Sequence, residues 1–189
     1  MGTKVLVLYT GGTIGMTRTD DGYRPQPGGI RQLLAEVPDL TMKGMPDYDL
    51  MEFDRLIDSS DVTVAEWNRI AQTVCDHYDS YDGFVILHGT DTMAYTASAL
   101  SFQLEGLNKP VILTGSQIPL CELRSDANDN LVTSMLFAAS DQIHEVCLYF
   151  GGKLLRGNRA VKVSSDGLTA FSSPNLPPLA EARIRLNYR

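Results

Sequence analysis

Apolar positions along the chain fall into two rhythms. Four short runs, at residues 5–9, 84–87, 111–113 and 146–150, are rich in Val, Ile, Leu, Phe and Tyr, with no polar residue alternating among them. Uninterrupted runs of this length mark strands buried on both faces, as in a parallel sheet. Between them the period changes. Over residues 64–78, Trp67, Ile70, Ala71, Val74 and Tyr78 recur at helical spacing behind Thr63-x-x-Glu66, a capping box ahead of an amphipathic helix. Residues 94–104 and 127–139 read as further crossover helices. Strand and helix in alternation predict an α/β fold of three layers, a mostly parallel, doubly wound sheet of the flavodoxin or Rossmann kind.

Two stretches break the rhythm. Residues 16–29 carry an Asp21-Gly22 hairpin signal and the prolines Pro25 and Pro27, which predicts a β-hairpin placed as a lid over the first glycine-rich turn. Residues 172–178, Ser-Ser-Pro-Asn-Leu-Pro-Pro, suit an extended connector. The expected division is therefore a domain over residues 1–176 and the start of a linker or tail over residues 177–189.

Composition narrows the class. A chain of 189 residues with 43% hydrophobic content can bury a core of ordinary size. The formal charge of −7, with no dense Lys/Arg block, argues against nucleic acid as a partner. No apolar run reaches membrane-spanning length, and the start Met1-Gly2-Thr3-Lys4 leads straight toward a strand without a secretory pattern. Cys75, Cys121 and Cys147 are odd in number and widely spaced, which predicts reduced, buried thiols and a cytoplasmic setting rather than disulfides or zinc. His77, His88 and His144 lack metal-ligand spacing, so neither a metal nor another cofactor is expected.

The candidate chemistry lies where strands end. Thr10-Gly11-Gly12-Thr13-Ile14-Gly15 follows the first apolar run, and His88-Gly89-Thr90-Asp91-Thr92 follows the second. In an open α/β sheet such turns sit at the carboxyl ends of strands, where ligands bind. Neither turn is spelled as a dinucleotide or P-loop fingerprint, although an anion- or nucleotide-binding flavodoxin-like module remains an alternative. A threonine nucleophile needs a partner to take its proton. Lys162, in a stretch that reads half-buried, is the candidate, with Asp91 beside Thr90 completing a Thr-Asp-Lys relay. The plainer alternatives are that Thr13 and Thr90 cap helices, Asp91 complements a helix dipole, and Lys162 is a surface lysine.

Five motifs occur together: Thr10 to Gly15, Asp58-Ser59-Ser60, His88 to Thr92, Thr114-Gly115-Ser116-Gln117, and Arg156-Gly157-Asn158-Arg159 through Lys162. In this order they resemble the bacterial-type L-asparaginases, closest to the cytoplasmic, type I branch. The resemblance implies an amidohydrolase converting L-asparagine and water to L-aspartate and ammonia through a threonine acyl-enzyme. It implies Thr13 as nucleophile, Thr90, Asp91 and Lys162 as the second catalytic group, and Tyr23 as a lid tyrosine supporting the nucleophile. Asp58, Ser59 and Ser60 would hold the substrate's α-carboxylate and α-amino groups, Asp91 would face the ammonium, and Ser116 would line the pocket.

Family members of this kind carry a second, smaller domain and complete their sites across subunits. The resemblance therefore implies an amino-terminal domain and a homo-oligomer. The alternative within this reading is a domain that binds asparagine or aspartate with little turnover.

Overall fold

The computed structural model describes residues 2–20 and 22–189. The chain opens with β1 (Lys4–Gly11), the hairpin β2 (Met16–Thr19) and β3 (Gly22–Pro25), α1 (Gly29–Ala35) and the long β4 (Asp47–Ile57). It continues through α2 (Val64–His77), β5 (Gly83–Leu87), α3 (Met93–Gln103), β6 (Val111–Thr114), α4 (Ala127–Ala138) and β7 (Val146–Phe150). Short strands complete it: β8 (Lys153–Arg156), β9 (Val161–Lys162), β10 (Phe171–Ser172), β11 (Ala180–Ala182) and β12 (Leu186–Tyr188).

The main sheet has the order β12-β11-β8-β7-β6-β5-β1-β4. From β4 to β7 every neighbouring pair is parallel, and from β7 outward every pair is antiparallel. The apolar runs are continuous because both sheet faces are covered. On β1, Leu6 and Leu8 pack with Ile70 and Val74 of α2 and Met93, Ala97 and Leu100 of α3. The alternate residues Val5, Val7 and Tyr9 pack with Ile30 and Leu34 of α1 and Leu131 and Met135 of α4. Two helical layers thus enclose the sheet, as the alternation of strand and helix predicts.

α2 begins where its sequence says it should. Thr63 and Glu66 form the reciprocal capping box, and Ile70, Ala71 and Val74 turn inward. The hairpin expected over residues 16–29 forms as β2 and β3, with Thr19 opposite Gly22; Asp21, half of its turn signal, lies outside the described residues. Past Pro178 the chain adds β11 beside β8 and β12 beside β11, so residues 180–188 continue the sheet. Leu186 and Tyr188 pack against the core from that edge.

The thiols differ from expectation. Cys147 is buried in β7, but Cys75 and Cys121 are exposed. Cys75 follows the inward-facing Val74 on α2 and points off the packed stripe, while Cys121 sits in the loop after β6.

The sheet order creates one crevice. β4 lies on one side of β1 and β5 on the other, so the crossovers diverge at the carboxyl ends of β1 and β5, the topological switch point at which α/β sheets bind ligands. Thr13 follows β1 and Thr90 follows β5. Among the described residues, no helix is long and apolar enough to cross a membrane.

Candidate active site

The turns after β1 and β5 touch backbone to backbone. Gly12 has φ +92°, and a Cβ there would lie 2.5 Å from the Gly89 nitrogen and 2.6 Å from its Cα. A Cβ on Gly89 would in turn stand 2.3 Å from Ser59 Oγ. Only residues without side chains let three segments meet this closely. Thr13, Ser59 and Thr90 therefore adjoin because glycines separate them. Ser59 begins a 3-10 turn after β4, and its carbonyl accepts the Thr92 hydroxyl at 2.6 Å.

Thr90, Asp91 and Lys162 form one hydrogen-bonded unit. Lys162 Nζ donates to Thr90 Oγ1 at 2.9 Å and to Asp91 Oδ1 at 2.8 Å. Lys162 comes from β9, held antiparallel to β10 and entered through a single 3-10 turn (Gly157–Arg159) that packs on α3. Its side chain is 18% exposed, whereas that of Asp91 is 64% exposed. So wet an ion pair contributes little to folding. Its effect is to aim an ammonium at the hydroxyl of Thr90, a residue only 7% exposed.

Thr90 Oγ1 also donates to Gln117 Oε1 at 3.2 Å. A hydroxyl has one proton and two lone pairs. With the proton on Gln117 and one lone pair on Lys162, a single lone pair is left to accept a hydrogen bond from a reactant.

The capping alternatives do not describe this arrangement. The residue at the cap of α3 is Thr92, and it makes no side-chain cap bond. The turn holding Thr13 starts at Gly12, also without a side-chain cap.

His88 lies beneath the second turn. Its Nε2 meets Thr96 Oγ1 at 3.0 Å and its Nδ1 meets the Gly89 carbonyl at 2.7 Å, while Trp67 Nε1 donates to the same Thr96 oxygen at 2.9 Å. A carbonyl only accepts, so the proton is on Nδ1, and Nε2 accepts from Thr96. Burial holds the imidazole pKa below its ordinary value, partly opposed by the Gly89 bond. Since a trans peptide points its C=O and N–H in opposite directions, anchoring the Gly89 carbonyl on His88 turns the Thr90 N–H away from the buried ring.

Asp58 Oδ1 accepts from Ser60 N at 3.0 Å and Ser60 Oγ at 2.9 Å, shaping the turn that carries Ser59. Ser116 is buried, and its hydroxyl donates to the Ile118 carbonyl at 2.7 Å. Tyr23, on β3, is 43% exposed and its phenol donates to Glu122 Oε1 at 2.7 Å.

Sequence reasoning missed Gln117 and the brace behind it. The Asp126 carboxylate accepts from Gln117 N at 3.1 Å and Ile118 N at 3.0 Å. Asn130, one helical turn along α4, donates to the Gly115 carbonyl and accepts from Gly151 N. The four-residue spacing of Asp126 and Asn130 was the available signal. Among the described residues, no three His, Cys, Asp or Glu side chains are grouped to hold a metal ion.

Known proteins share this sequence and architecture. The family model described as "Asparaginase, N-terminal" matches residues 4–189. L-asparaginase 1 of Escherichia coli (strain K12) is 57% identical over 183 residues, covering 97% of this chain and 54% of that protein. The crystal structure of L-asparaginase I from Vibrio cholerae O1 biovar eltor str. N16961 superposes with a TM-score of 0.94 at 50% identity, covering 100% of this chain and 56% of that one. A probable cytoplasmic L-asparaginase from Campylobacter jejuni superposes at 0.82 with 28% identity, covering 99% and 57%. The chain thus spans little more than half the length of these relatives. With five motifs in order, a switch-point crevice lined by two threonine turns, and these matches along nearly its whole length, the chain belongs to the asparaginase family, in its amino-terminal domain.

Proposed function

We propose that this chain carries the catalytic groups of an L-asparagine amidohydrolase, which attacks the side-chain amide with Thr13 and releases ammonia and L-aspartate. The observation that carries the reading is the Lys162 ammonium held on both Thr90 Oγ1 and Asp91 beside the turn bearing Thr13.

In this mechanism the Thr13 oxygen adds to the amide carbon, its proton passes to the open lone pair of Thr90 as Thr90 gives its own proton to the amide nitrogen, and the C–N bond breaks as ammonia leaves. Water then cleaves the resulting ester to aspartate. Backbone N–H groups of the two turns face the developing oxyanion, which a rigid donor stabilises more than water does. Asp58, Ser59 and Ser60 hold the substrate's α-carboxylate and α-amino groups, and Asp91 faces the ammonium. Tyr23 supports Thr13 when the hairpin closes, and Ser116 lines the pocket wall.

Two wider readings accompany it. The chain acts in the cytoplasm, a setting supported by the Campylobacter relative, and it works in an oligomer of the asparaginase type.

The test is ammonia release from L-asparagine by the purified chain and by Thr13→Ala, Thr90→Val and Lys162→Met. The expected outcome is release by the parent and a loss of about a hundredfold or more in each folded variant. A folded parent that binds L-asparagine without releasing ammonia would replace this reading with that of a binding domain.

A further inference from the structure

The loop after β6 runs alongside the turn bearing Thr13 and the lid hairpin that follows it, meeting the turn once and the hairpin twice. Leu120 N donates to the Ile14 carbonyl at 3.2 Å, Cys121 Sγ lies 3.5 Å from the Met16 carbonyl, and Glu122 Oε1 accepts the Tyr23 phenol at 2.7 Å. Five residues before Glu122, the same loop carries Gln117, which takes the Thr90 proton. Its far end is pinned to Asp126 through two backbone N–H groups. One segment therefore connects the lid to the Thr90 relay, fixed on the relay side by backbone bonds.

On the lid side, the last contact joins two exposed side chains. Tyr23 sits on β3, a four-residue strand whose one strand partner among the described residues is β2. A two-stranded ribbon is marginal in water unless something else holds it.

From this we infer that Glu122 is a positioning residue for the lid: its carboxylate clasps the Tyr23 phenol and parks the hairpin against the 116–126 loop. Engagement with a ligand at Thr13 requires the phenol to exchange Glu122 for the turn after β1. The contact is charge-assisted, and of the influences on Tyr23 the bond to Glu122 is the largest, raising the phenol pKa above its ordinary value. Arg18, across the hairpin, acts in the opposite direction, while Cys121 adds to the rise. The role of the exchange rests on the proposed function, but the clasp does not.

The clasp is tested without turnover. Trypsin cuts after Arg18, which is exposed on β2, whereas Arg24 is shielded from it by Pro25. Removing one exposed, charge-assisted bond by Glu122→Ala is expected to speed nicking at Arg18 about two- to tenfold. Tyr23→Phe should do the same, and the double variant no more than either. Glu122→Gln, which still accepts a hydrogen bond, should return nicking close to the parental rate.

Carbon-13 NMR of ring-labelled tyrosine, with Tyr23→Phe identifying the resonance, should place the Tyr23 titration lower in Glu122→Ala than in the parent. Nicking unchanged in Glu122→Ala, or a Tyr23 titration unmoved by it, overturns the clasp. Loss of ammonia release in Thr13→Ala bears only on the proposed function.

Discussion

Gly12→Ala and Gly89→Ala probe the two sides of the turn after β5, the first against the turn after β1 and the second against Ser59. At Gly12 the added Cβ would lie 2.5 Å from Gly89 N, 2.6 Å from Gly89 Cα and 2.8 Å from the His88 carbonyl carbon. All three are main-chain atoms, and the φ of +92° is itself unfavourable for alanine. Left-handed backbone costs about 1–2 kcal/mol, and overpacking costs about 1–3 kcal/mol more. Gly12→Ala should therefore lose roughly 2–5 kcal/mol of a net stability on the order of 5–15 kcal/mol.

At Gly89 the backbone is ordinary and the clash is with a side chain, 2.3 Å from Ser59 Oγ and 2.6 Å from Ser59 Cβ. Gly89→Ala should cost roughly 1–3 kcal/mol, and Ser59→Gly in the same chain should recover most of it. Urea unfolding followed through Trp67, the single tryptophan, gives each value and the coupling between the two sites. Gly12→Ala within about 0.5 kcal/mol of the parent, or strictly additive costs for Ser59→Gly and Gly89→Ala, would refute the turn-to-turn contact.

Other consequences follow from the buried network. His88 is neutral in the fold and its pKa is depressed by burial, so the unfolded chain binds the extra proton first. Stability on this account is complete above the unfolded pKa of about 6.5 and falls as pH drops below it, by up to about 1.4 kcal/mol per pH unit. His88→Gln should lose that part of the slope in urea titrations, and retention of the parental slope would place its origin elsewhere. Asn130→Ala strips partners from the Gly115 carbonyl and Gly151 N, so it should cost about 1–3 kcal/mol in the same assay. Thr96→Val unpairs Trp67 Nε1 and His88 Nε2 together, and should shift the Trp67 emission while leaving the fold intact.

What could be read in the sequence was what is decided locally. The runs that became β1, β5, β6 and β7 are apolar at every position because both faces are covered, and the capping box at Thr63 is complete within four residues. β4 was invisible for the opposite reason. It is an edge strand of eleven residues, Asp-Tyr-Asp-Leu-Met-Glu-Phe-Asp-Arg-Leu-Ile, in which only Phe53 is buried. α1 hid behind prolines, since it starts after Gly28 in a left-handed conformation with no side-chain cap. The strands β8 to β12 are two to four residues long, too short for periodicity, and exist because partners elsewhere supply their bonds.

The site divides in the same way. Glycine turns and their threonines stand in the chain as local patterns, whereas the Tyr23–Glu122 contact joins residues 99 apart in sequence. Gln117 belongs to one of the five motifs, but its bond to Thr90 depends on the Asp126 brace bringing two loops together. The Asp126–Asn130 spacing signals the brace but not the loop that the brace holds against Thr90.

The central claim is that Thr13 is the nucleophile, and peptide mapping of the chain after rapid acid quenching with saturating L-asparagine tests it most directly. An aspartyl ester on the peptide containing Thr13, absent from Thr13→Ala, is the predicted result. An ester on Thr90, or ammonia release with no ester on either threonine, would contradict the account.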